Sequence, residues 1–202
     1  VKYFIFSSTC AVYGGSNNVV SEKSKLKPEN YYGKTKHKGE KLIKKYSKKY
    51  NFKYVLLRYF NVAGSDLKNK IGCIKDTNSL FKNLCLNVKK KKYEVNIYGN
   101  NYNTKDGTCV RDYVHVDDLC DAIIKAVHEP GAKSDFEPIG SGKSYTVLEY
   151  VEAFLEENGP KFKVEFGPRR EGDNESSEVP FMSKFMNPKK TLKDIVKLWK
   201  RF

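Results

Sequence analysis

Residues 1–14 read VKYFIFSSTCAVYG, and the first eight of them form a run dominated by apolar, β-branched and aromatic side chains. Such a run is typical of a strand that is buried in a parallel sheet. A helix is predicted from Tyr31 to Lys49, because apolar side chains recur there at helical spacing. The buried stripe of this helix would consist of Leu42, Ile43 and Tyr46. A second buried strand, FKYVLLRY, follows at residues 52–59, and the order strand, helix, strand predicts a parallel α/β sheet.

Shorter elements are predicted in the rest of the chain, where the pattern is more mixed. The segment VHVDDLCDAIIKAVHEP, residues 114–130, favours a helix that Asp117 or Asp118 would cap and that Pro130 would end. The remaining predictions are helices at Ser79–Val88, Val147–Asn158 and Leu192–Trp199, and strands at Val95–Tyr98, Phe136–Ile139 and Phe162–Phe166.

These elements predict an α/β protein with two lobes. The first is an incomplete doubly wound (Rossmann-type) parallel sheet in residues 1–64, and later segments at about 109–130 would pack back on it. Residues 65–202 would mainly form a smaller mixed α/β lobe.

The composition limits the partners of the chain. Its 202 residues carry a net charge of +14, but much of the excess lies in lysine-rich stretches such as 34–49 and 89–92, which are typical of solvated faces. No RNA-binding motif or recognition-helix signature occurs, so no nucleic-acid partner is expected. No stretch approaches the roughly 20 apolar residues that span a bilayer, and there is no cleavable signal segment. We therefore expect no membrane partner and a cytoplasmic location.

The cysteines and histidines do not form a recognisable metal or disulfide pattern. The five cysteines are spread singly without a C-x-x-C pair, and the three histidines lack the spacing of metal ligands. Reduced thiols and no metal site are predicted.

Tyr32 and Lys36 are the first candidates for chemistry. They stand four residues apart in YGKTK, which places both side chains on one face of a helix. An ammonium group near a phenol favours its anion, as general base catalysis requires. Thr9 lies where the first strand ends, at the edge of a parallel sheet where ligands bind, and could face Tyr32.

Five blocks of the sequence resemble the UDP-glucose 4-epimerase family of the short-chain dehydrogenase/reductase superfamily. They occur in the family's order and near its spacing: SSTCAVYG (7–14), YYGKTK (31–36), LLRYFNVAG (56–64), DGTCVRDYVHVDDL (106–119) and PRREGD (168–173). The resemblance implies NAD as cofactor, a UDP-hexose as substrate and a homodimer in the intact enzyme. It also makes residues 1–64 the C-terminal part of the NAD-binding domain and residues 65–202 mainly the UDP-sugar domain.

The resemblance also implies individual roles. Tyr32 would transfer the proton of the sugar O4 hydroxyl, Lys36 would hold the nicotinamide ribose, and Thr9 would hydrogen-bond O4. NAD would contact Ser7, Tyr32, Lys36 and Tyr59. The UDP-sugar would contact Thr9, Asn61, Ser79, Tyr98, Arg111, Arg170, Asp173 and Ser177. A small residue at 177 would leave room for a 2-N-acetyl group on the sugar.

Two departures from the family affect the reading of this chain. No glycine-rich NAD fingerprint of the G-x-x-G-x-x-G type occurs, which suggests a fragment or truncated gene product of a longer enzyme. The segment between Ser177 and Thr191 is also shorter than the family's equivalent. We take Gly140-Ser141-Gly142 as a turn and not as a phosphate loop.

Other functions stay open at this point. Cys10 and Ala11 stand where related dehydratases have an Asp-Glu pair, which disfavours elimination. Epimerases or decarboxylases acting on UDP-N-acetylglucosamine or UDP-glucuronate remain possible, as does a non-catalytic nucleotide-sugar-binding or basic-surface module. Arg111 and Asp112 could alternatively form a structural ion pair.

Overall fold

The computed structural model describes residues 1–14, 24–66, 79–129, 135–159, 162–179 and 181–197. Its strands are β1 (Tyr3–Thr9), β2 (Lys53–Tyr59), β3 (Asn61–Ala63), β4 (Glu94–Tyr98), β5 (Val110–His115), β6 (Asp135–Ile139), β7 (Ser144–Thr146), β8 (Lys163–Gly167) and β9 (Ser176–Ser177). Its helices are α1 (Tyr31–Tyr50), α2 (Leu80–Lys89), α3 (Val116–His128), α4 (Val147–Asn158) and α5 (Leu192–Val196). A short 3-10 helix, Cys10–Val12, follows β1.

A parallel sheet of order β1-β2-β6 carries the first part of the chain. β1 pairs with β2 from Tyr3 opposite Lys53 to Thr9 opposite Tyr59, and β6 continues the sheet with Ile139 opposite Tyr59. The α/β class with a parallel sheet is therefore confirmed. Because all three strands run the same way, their carboxyl ends lie side by side.

The other strands form two further sheets, of four and two strands. β5 lies between β3 and β7, parallel to the first and antiparallel to the second, and it also pairs with β9. β4 and β8 form a separate parallel pair. The sequence did not predict β3, β5, β7 or β9. Three of these strands are only two or three residues long. The fourth, β5, runs without a turn into α3, so Val114 and His115 belong to the strand and not to the predicted helix.

Two clusters of buried side chains make up the described core. The first cluster lies around α2, α4 and α5 and contains Ala63, Phe81, Leu84, Cys85, Val95, Ile97, Tyr150, Val151, Phe154, Phe162, Ile195 and Val196. The second lies between the parallel sheet and α3 and contains Val55, Leu57, Val114, Leu119, Ala122, Ala126, Ile139, Phe185 and Met186. The proposed division into residues 1–64 and 65–202 remains a prediction.

The predicted apolar stripe of α1 was wrong. Leu42 and Tyr46 are exposed, Ile43 is half-buried, and the buried residues of the helix are Gly33 and Glu40. The helix approaches the sheet through a glycine and a carboxylate because its other positions are mostly lysine.

The predicted cap of α3 was also wrong. The N-cap residue is His115, whose Nδ1 accepts a hydrogen bond from the backbone N–H of Asp117 at 3.1 Å. The Asp118 carboxylate instead accepts the backbone N–H groups of Lys189 and Lys190. Pro130, Trp199 and Cys73 lie outside the described residues. Among the described helices, none has the length and apolar character that crossing a bilayer requires.

Candidate active site

The carboxyl end of β1 places hydroxyl groups at the edge of the parallel sheet. Thr9 is buried, and its Oγ1 accepts the backbone N–H of Ala11 at 3.2 Å, so it caps the 3-10 helix. Two residues earlier, the Ser7 hydroxyl lies 2.9 Å from the Tyr59 hydroxyl at the end of β2. This edge is where ligands of open α/β sheets bind.

The first turns of α1 bring Tyr32 and Lys36 to the same edge. The Asn30 side chain accepts the backbone N–H of Gly33 at 2.7 Å and caps the helix, so the helix begins next to Tyr32. Lys36 Nζ donates to the Ser7 carbonyl at 2.9 Å and lies 5.8 Å from the centroid of the Tyr32 ring. Tyr32 is 55% exposed. The pair predicted from the Y-x-x-x-K spacing therefore shares one face of α1, and Lys36 joins that face to Ser7.

Gly33 allows the first turn of α1 to lie close to the 3-10 helix. A Cβ at this position would lie 2.5 Å from the Ala11 carbonyl oxygen and 3.0 Å from Pro28 Cβ. The first turn of α1 thus packs directly on the backbone of the 3-10 helix that Thr9 caps, and a side chain would separate Tyr32 from that segment.

A second part of the site is a cavity of about 910 Å³ between α2, β4 and β5. Six of the eight residues predicted to contact a UDP-sugar line it: Asn61, Ser79, Tyr98, Arg111, Arg170 and Asp173. Thr9 and Ser177, the other two, do not, and neither does the Tyr32–Lys36 pair.

Among the described residues, three cationic side chains line the cavity: Lys90, Arg111 and Arg170. Arg111 is 12% exposed and its Nη2 lies 3.5 Å from an Asp173 carboxylate oxygen. The Arg170 guanidinium lies 4.0 Å above the centre of the Tyr98 ring. Planar guanidinium groups suit the paired oxygens of a diphosphate, and the aromatic ring offers a surface for a planar base.

Arg111 does not pair with Asp112, so the alternative reading of these neighbours was wrong. The Asp112 carboxylate accepts hydrogen bonds from the backbone N–H and the hydroxyl of Ser141 and from the backbone N–H of Gly142. Burial nevertheless raises the pKa of the Asp112 carboxyl group. Gly140-Ser141-Gly142 is the predicted turn, with Gly142 at a φ of 74°, and it holds Asp112.

Ser177 connects the cavity to the end of β1. It lies opposite Arg111 in the β5–β9 pairing, and its hydroxyl is 3.6 Å from the Cys10 sulfur. Cys10 follows Thr9 directly, and burial raises the pKa of the Cys10 thiol. Ser177 and Cys10 therefore connect Arg111, in the cavity, to the end of β1 beside which α1 begins.

Several cavity residues were missed by the sequence analysis. Asn83 and Asn87 lie one turn apart on α2, and Asn96, Cys109 and Tyr113 line the other walls. Burial raises the pKa of Tyr113 to about 12. The i,i+4 spacing of the two asparagines on α2 was a local signal for one wall of the cavity. Cys109 and Tyr113 lie inside the DGTCVRDYVHVDDL block but were not assigned a contact.

Comparison with known proteins gives a consistent set of relatives. The NAD dependent epimerase/dehydratase family matches residues 1–139. A UDP-glucose 4-epimerase of Rhizobium meliloti (strain 1021) is 38% identical over 178 residues, which are 86% of this chain and 54% of that protein. A putative UDP-arabinose 4-epimerase of Arabidopsis thaliana is 36% identical over 96% of this chain and 45% of its own length. The chain spans about half the length of the curated relatives it matches.

Solved structures resemble this chain over nearly its whole length. A UDP-glucose 4-epimerase of Stenotrophomonas maltophila, with bound NAD and formylated UDP-arabinopyranose, gives a TM-score of 0.91 at 28% identity and covers 99% of this chain and 63% of that one. A UDP-glucose 4-epimerase of Bifidobacterium longum, in complex with NAD+ and UDP, gives a TM-score of 0.90 at 28% identity, with 99% and 64% covered.

Proposed function

Because this chain belongs to the NAD dependent epimerase/dehydratase family, we propose that the intact protein interconverts UDP-glucose and UDP-galactose with NAD as its cofactor. The observation that carries the proposal is that the cavity and the Tyr32–Lys36 edge of the sheet are connected. A cavity with two arginines is connected through Ser177 and Cys10 to a sheet edge that presents Tyr32 and Lys36.

The cavity suits the UDP part of the substrate. Arg111 and Arg170 would bind the diphosphate, and Asp173, which already lies beside Arg111, would accept a ribose hydroxyl. Tyr98 would line the base, while Asn61 and Ser79 supply polar groups at the wall of the cavity. With the nucleotide anchored there, the sugar would extend toward Ser177 and Thr9.

The edge of the parallel sheet fits the nicotinamide ribose of NAD. Lys36 uses one of its three ammonium hydrogens on the Ser7 carbonyl, which leaves two for ribose hydroxyls. Within the described residues the Tyr32 hydroxyl has no hydrogen-bond partner. The linked Ser7 and Tyr59 hydroxyls lie on neighbouring strands, and Lys36 reaches the Ser7 carbonyl from α1. Tyr32, Lys36, Ser7 and Tyr59 would hold this end of the cofactor. When bound, NAD supplies a hydride acceptor and donor at C4 of the sugar.

The residues of this chain would move the proton. The Tyr32 oxygen would take the proton from the sugar O4 hydroxyl and return it after the 4-keto sugar has turned its other face. The Lys36 ammonium, 5.8 Å from the centre of the Tyr32 ring, would attract negative charge that develops on the Tyr32 oxygen during this exchange. Thr9, held in place by its cap on the 3-10 helix, would orient O4 by a hydrogen bond.

Replacing Tyr32 by Phe in the intact protein tests this function. The variant should lose conversion of UDP-glucose to UDP-galactose, followed by NMR of the sugar H1 signals, while UDP affinity measured by calorimetry stays unchanged. Full epimerisation by the variant would refute the proton-transfer role, and an inactive wild-type protein that still binds UDP would favour a non-catalytic binding module.

Two further features belong to the same proposal. We propose that the intact protein is a homodimer, which sedimentation velocity tests directly. We also propose that residues 1–64 form the C-terminal part of the NAD-binding domain and residues 65–202 mainly the UDP-sugar domain, with segments at about 109–130 packing back on the first.

A further inference from the structure

A buried polar cluster lies beneath the Tyr32–Lys36 pair and consists of Ser8, Tyr13, Glu40 and Arg58. Arg58 Nε donates to Glu40 Oε1 at 2.9 Å, and Arg58 Nη2 donates to Glu40 Oε2 at 2.7 Å. The Ser8 hydroxyl donates to Glu40 Oε1 at 2.5 Å, and Arg58 Nη1 donates to the Tyr13 hydroxyl at 2.9 Å. The two ion-pair side chains are only 1% and 2% exposed. This Glu40–Arg58 cluster is therefore a dry, bidentate ion pair with additional partners on both sides.

Aromatic rings fix the plane of the guanidinium. Its central carbon lies 4.1 Å from the centre of the Phe136 ring and 4.9 Å from that of Tyr13. With rings near it and three of its nitrogens used in hydrogen bonds, Arg58 has one orientation available to it.

Three of the four members of the cluster neighbour a residue of the proposed site. Glu40 lies one helical turn beyond Lys36 on α1, and Ser8 directly precedes Thr9 on β1. Arg58 directly precedes Tyr59 on β2. The cluster therefore ties together the three elements that carry the proton-transfer and cofactor-binding groups.

Stability alone does not account for this arrangement. Removing two charges from water costs free energy that a buried ion pair recovers only in part, so an apolar pair of similar volume is often as stable. On α1, however, Gly33 and Glu40 are the buried residues, and no apolar side chain of the helix is buried. The hydrogen bonds of Glu40 to Arg58 therefore determine how α1 is rotated about its axis and where it lies along the sheet.

We propose that Glu40 and Arg58 are positioning residues for the reaction, which hold α1 at the rotation that brings Tyr32 and Lys36 to Ser7 and Thr9. This inference rests on the proposed function. The two residues contact neither substrate nor cofactor and act through the helix and the strand ends. Their loss should therefore affect steps that involve Tyr32 and Lys36 more than UDP binding in the separate cavity.

The test uses the intact protein with three variants: Glu40→Gln, Arg58→Lys, and the double variant Glu40→Leu with Arg58→Met. In the double variant, which fills the site with apolar groups, kcat should fall about 10²-fold because a displacement near 1 Å at the reacting groups has that effect. KM for UDP-glucose and the affinity for UDP should stay unchanged, while the affinity for NAD should fall. Thermal unfolding establishes that the variant is folded.

Asp118→Asn is the matched control, because Asp118 is a buried carboxylate on α3 that accepts the backbone N–H groups of Lys189 and Lys190 and takes no part in the Glu40–Arg58 cluster. It should lower the unfolding temperature without changing kcat or NAD affinity. A folded double variant with wild-type kcat and NAD affinity would overturn the proposal, as would equal losses in the control. If the double variant does not fold, the near-isosteric single variants decide by the same criteria.

The outcomes also separate this inference from the proposed function. An inactive wild-type protein would contradict the epimerase assignment, yet the comparison of NAD affinity with UDP affinity would still decide whether Glu40 and Arg58 position the helix. Normal epimerisation in the wild type together with normal folded variants would remove only the positioning role.

Discussion

Substituting Gly33 by Ala should impair both folding and catalysis, although alanine is the better helix former. In the interior of a helix this exchange normally gains up to about 1 kcal/mol. Here the new Cβ would lie 2.5 Å from the Ala11 carbonyl oxygen, whereas ordinary contact begins at 3.4 Å. The first turn of α1 would have to retreat by the difference, about 0.9 Å. Because the obstacle is backbone, it cannot rotate away.

The free-energy cost of the clash and the gain in helix propensity together set the change in stability. Overpacking of a close contact costs about 1–3 kcal/mol, so against a propensity gain of about 1 kcal/mol the clash should leave a net loss of roughly 0–2 kcal/mol. For a domain of this size, each kcal/mol corresponds to about 2–4 °C in Tm. The effect on catalysis should be larger, since moving Tyr32 by about 1 Å away from Thr9 should lower kcat on the order of 10²-fold.

Gly39→Ala is the matched substitution on the same helix. Its Cβ would meet Phe6 Cζ at 2.9 Å, which is the far end of a side chain that can shift. Thermal unfolding and steady-state kinetics of both variants in the intact protein provide the comparison, with Gly39→Ala near wild type in stability. A Gly33→Ala protein that is more stable than wild type and retains its kcat would refute the reasoning.

Three further predictions concern the cavity and its supports. Arg111→Met should weaken UDP binding about 10- to 100-fold in calorimetry, because a hydrogen bond to a charged group contributes about 1.5–3 kcal/mol, whereas Arg169→Met, which removes an arginine outside the cavity, should not. Burial alone would raise the pKa of Asp106, but hydrogen bonds from two threonines lower this pKa below its ordinary value. The stability that Asp106 adds should therefore be present above the ordinary pKa of an aspartate and be lost as pH falls through the pKa of the folded state. Asp106→Asn should remove that part of the pH dependence of unfolding. The wild-type protein should accept UDP-N-acetylglucosamine, and Ser177→Tyr should abolish this turnover while UDP-glucose is still converted; no turnover of the N-acetylated substrate by the wild type would contradict the prediction.

The sequence predicted the parts of the fold that have long, regular patterns. The strands around Ile5 and Leu56 and the amphipathic helix α4 show a clear apolar signal, and they are present near the expected bounds. Of the two strands, only β2 is buried as predicted, since in β1 the Phe4 side chain is exposed and Ile5 is half-buried. The two-residue strand β9 and the three-residue strands β3 and β7 have none, because they are defined by backbone pairing to distant segments. His115 could not be identified as a cap, since its ring nitrogen serves that role only because β5 ends there.

In the candidate site, too, the sequence predicted residues that belong to a motif but not contacts that depend on tertiary structure. Motif blocks identified residues that converge on one cavity, such as Arg111 and Asp173, which are 62 positions apart in the chain. Spacing alone predicted that Tyr32 and Lys36 share a face, but not that Lys36 reaches the Ser7 carbonyl on a neighbouring strand. Asn96, Cys109 and Tyr113 line the cavity through tertiary placement, which no local pattern records.

The way α1 is attached explains why stability and function should respond differently to mutation. An apolar stripe holds a helix by contacts that have no preferred direction, so the helix can slide or rotate slightly at little cost. α1 instead meets the protein through a glycine that stops against backbone and a carboxylate held by a two-point hydrogen bond, both of which fix direction. Its lysine-rich outer face adds little apolar burial. Substitutions on that face, such as Leu42→Gln, should therefore leave kcat and Tm near wild type. Gly33→Ala, and the apolar replacement of Glu40 and Arg58 together, should lower kcat far more than their modest effect on unfolding would suggest.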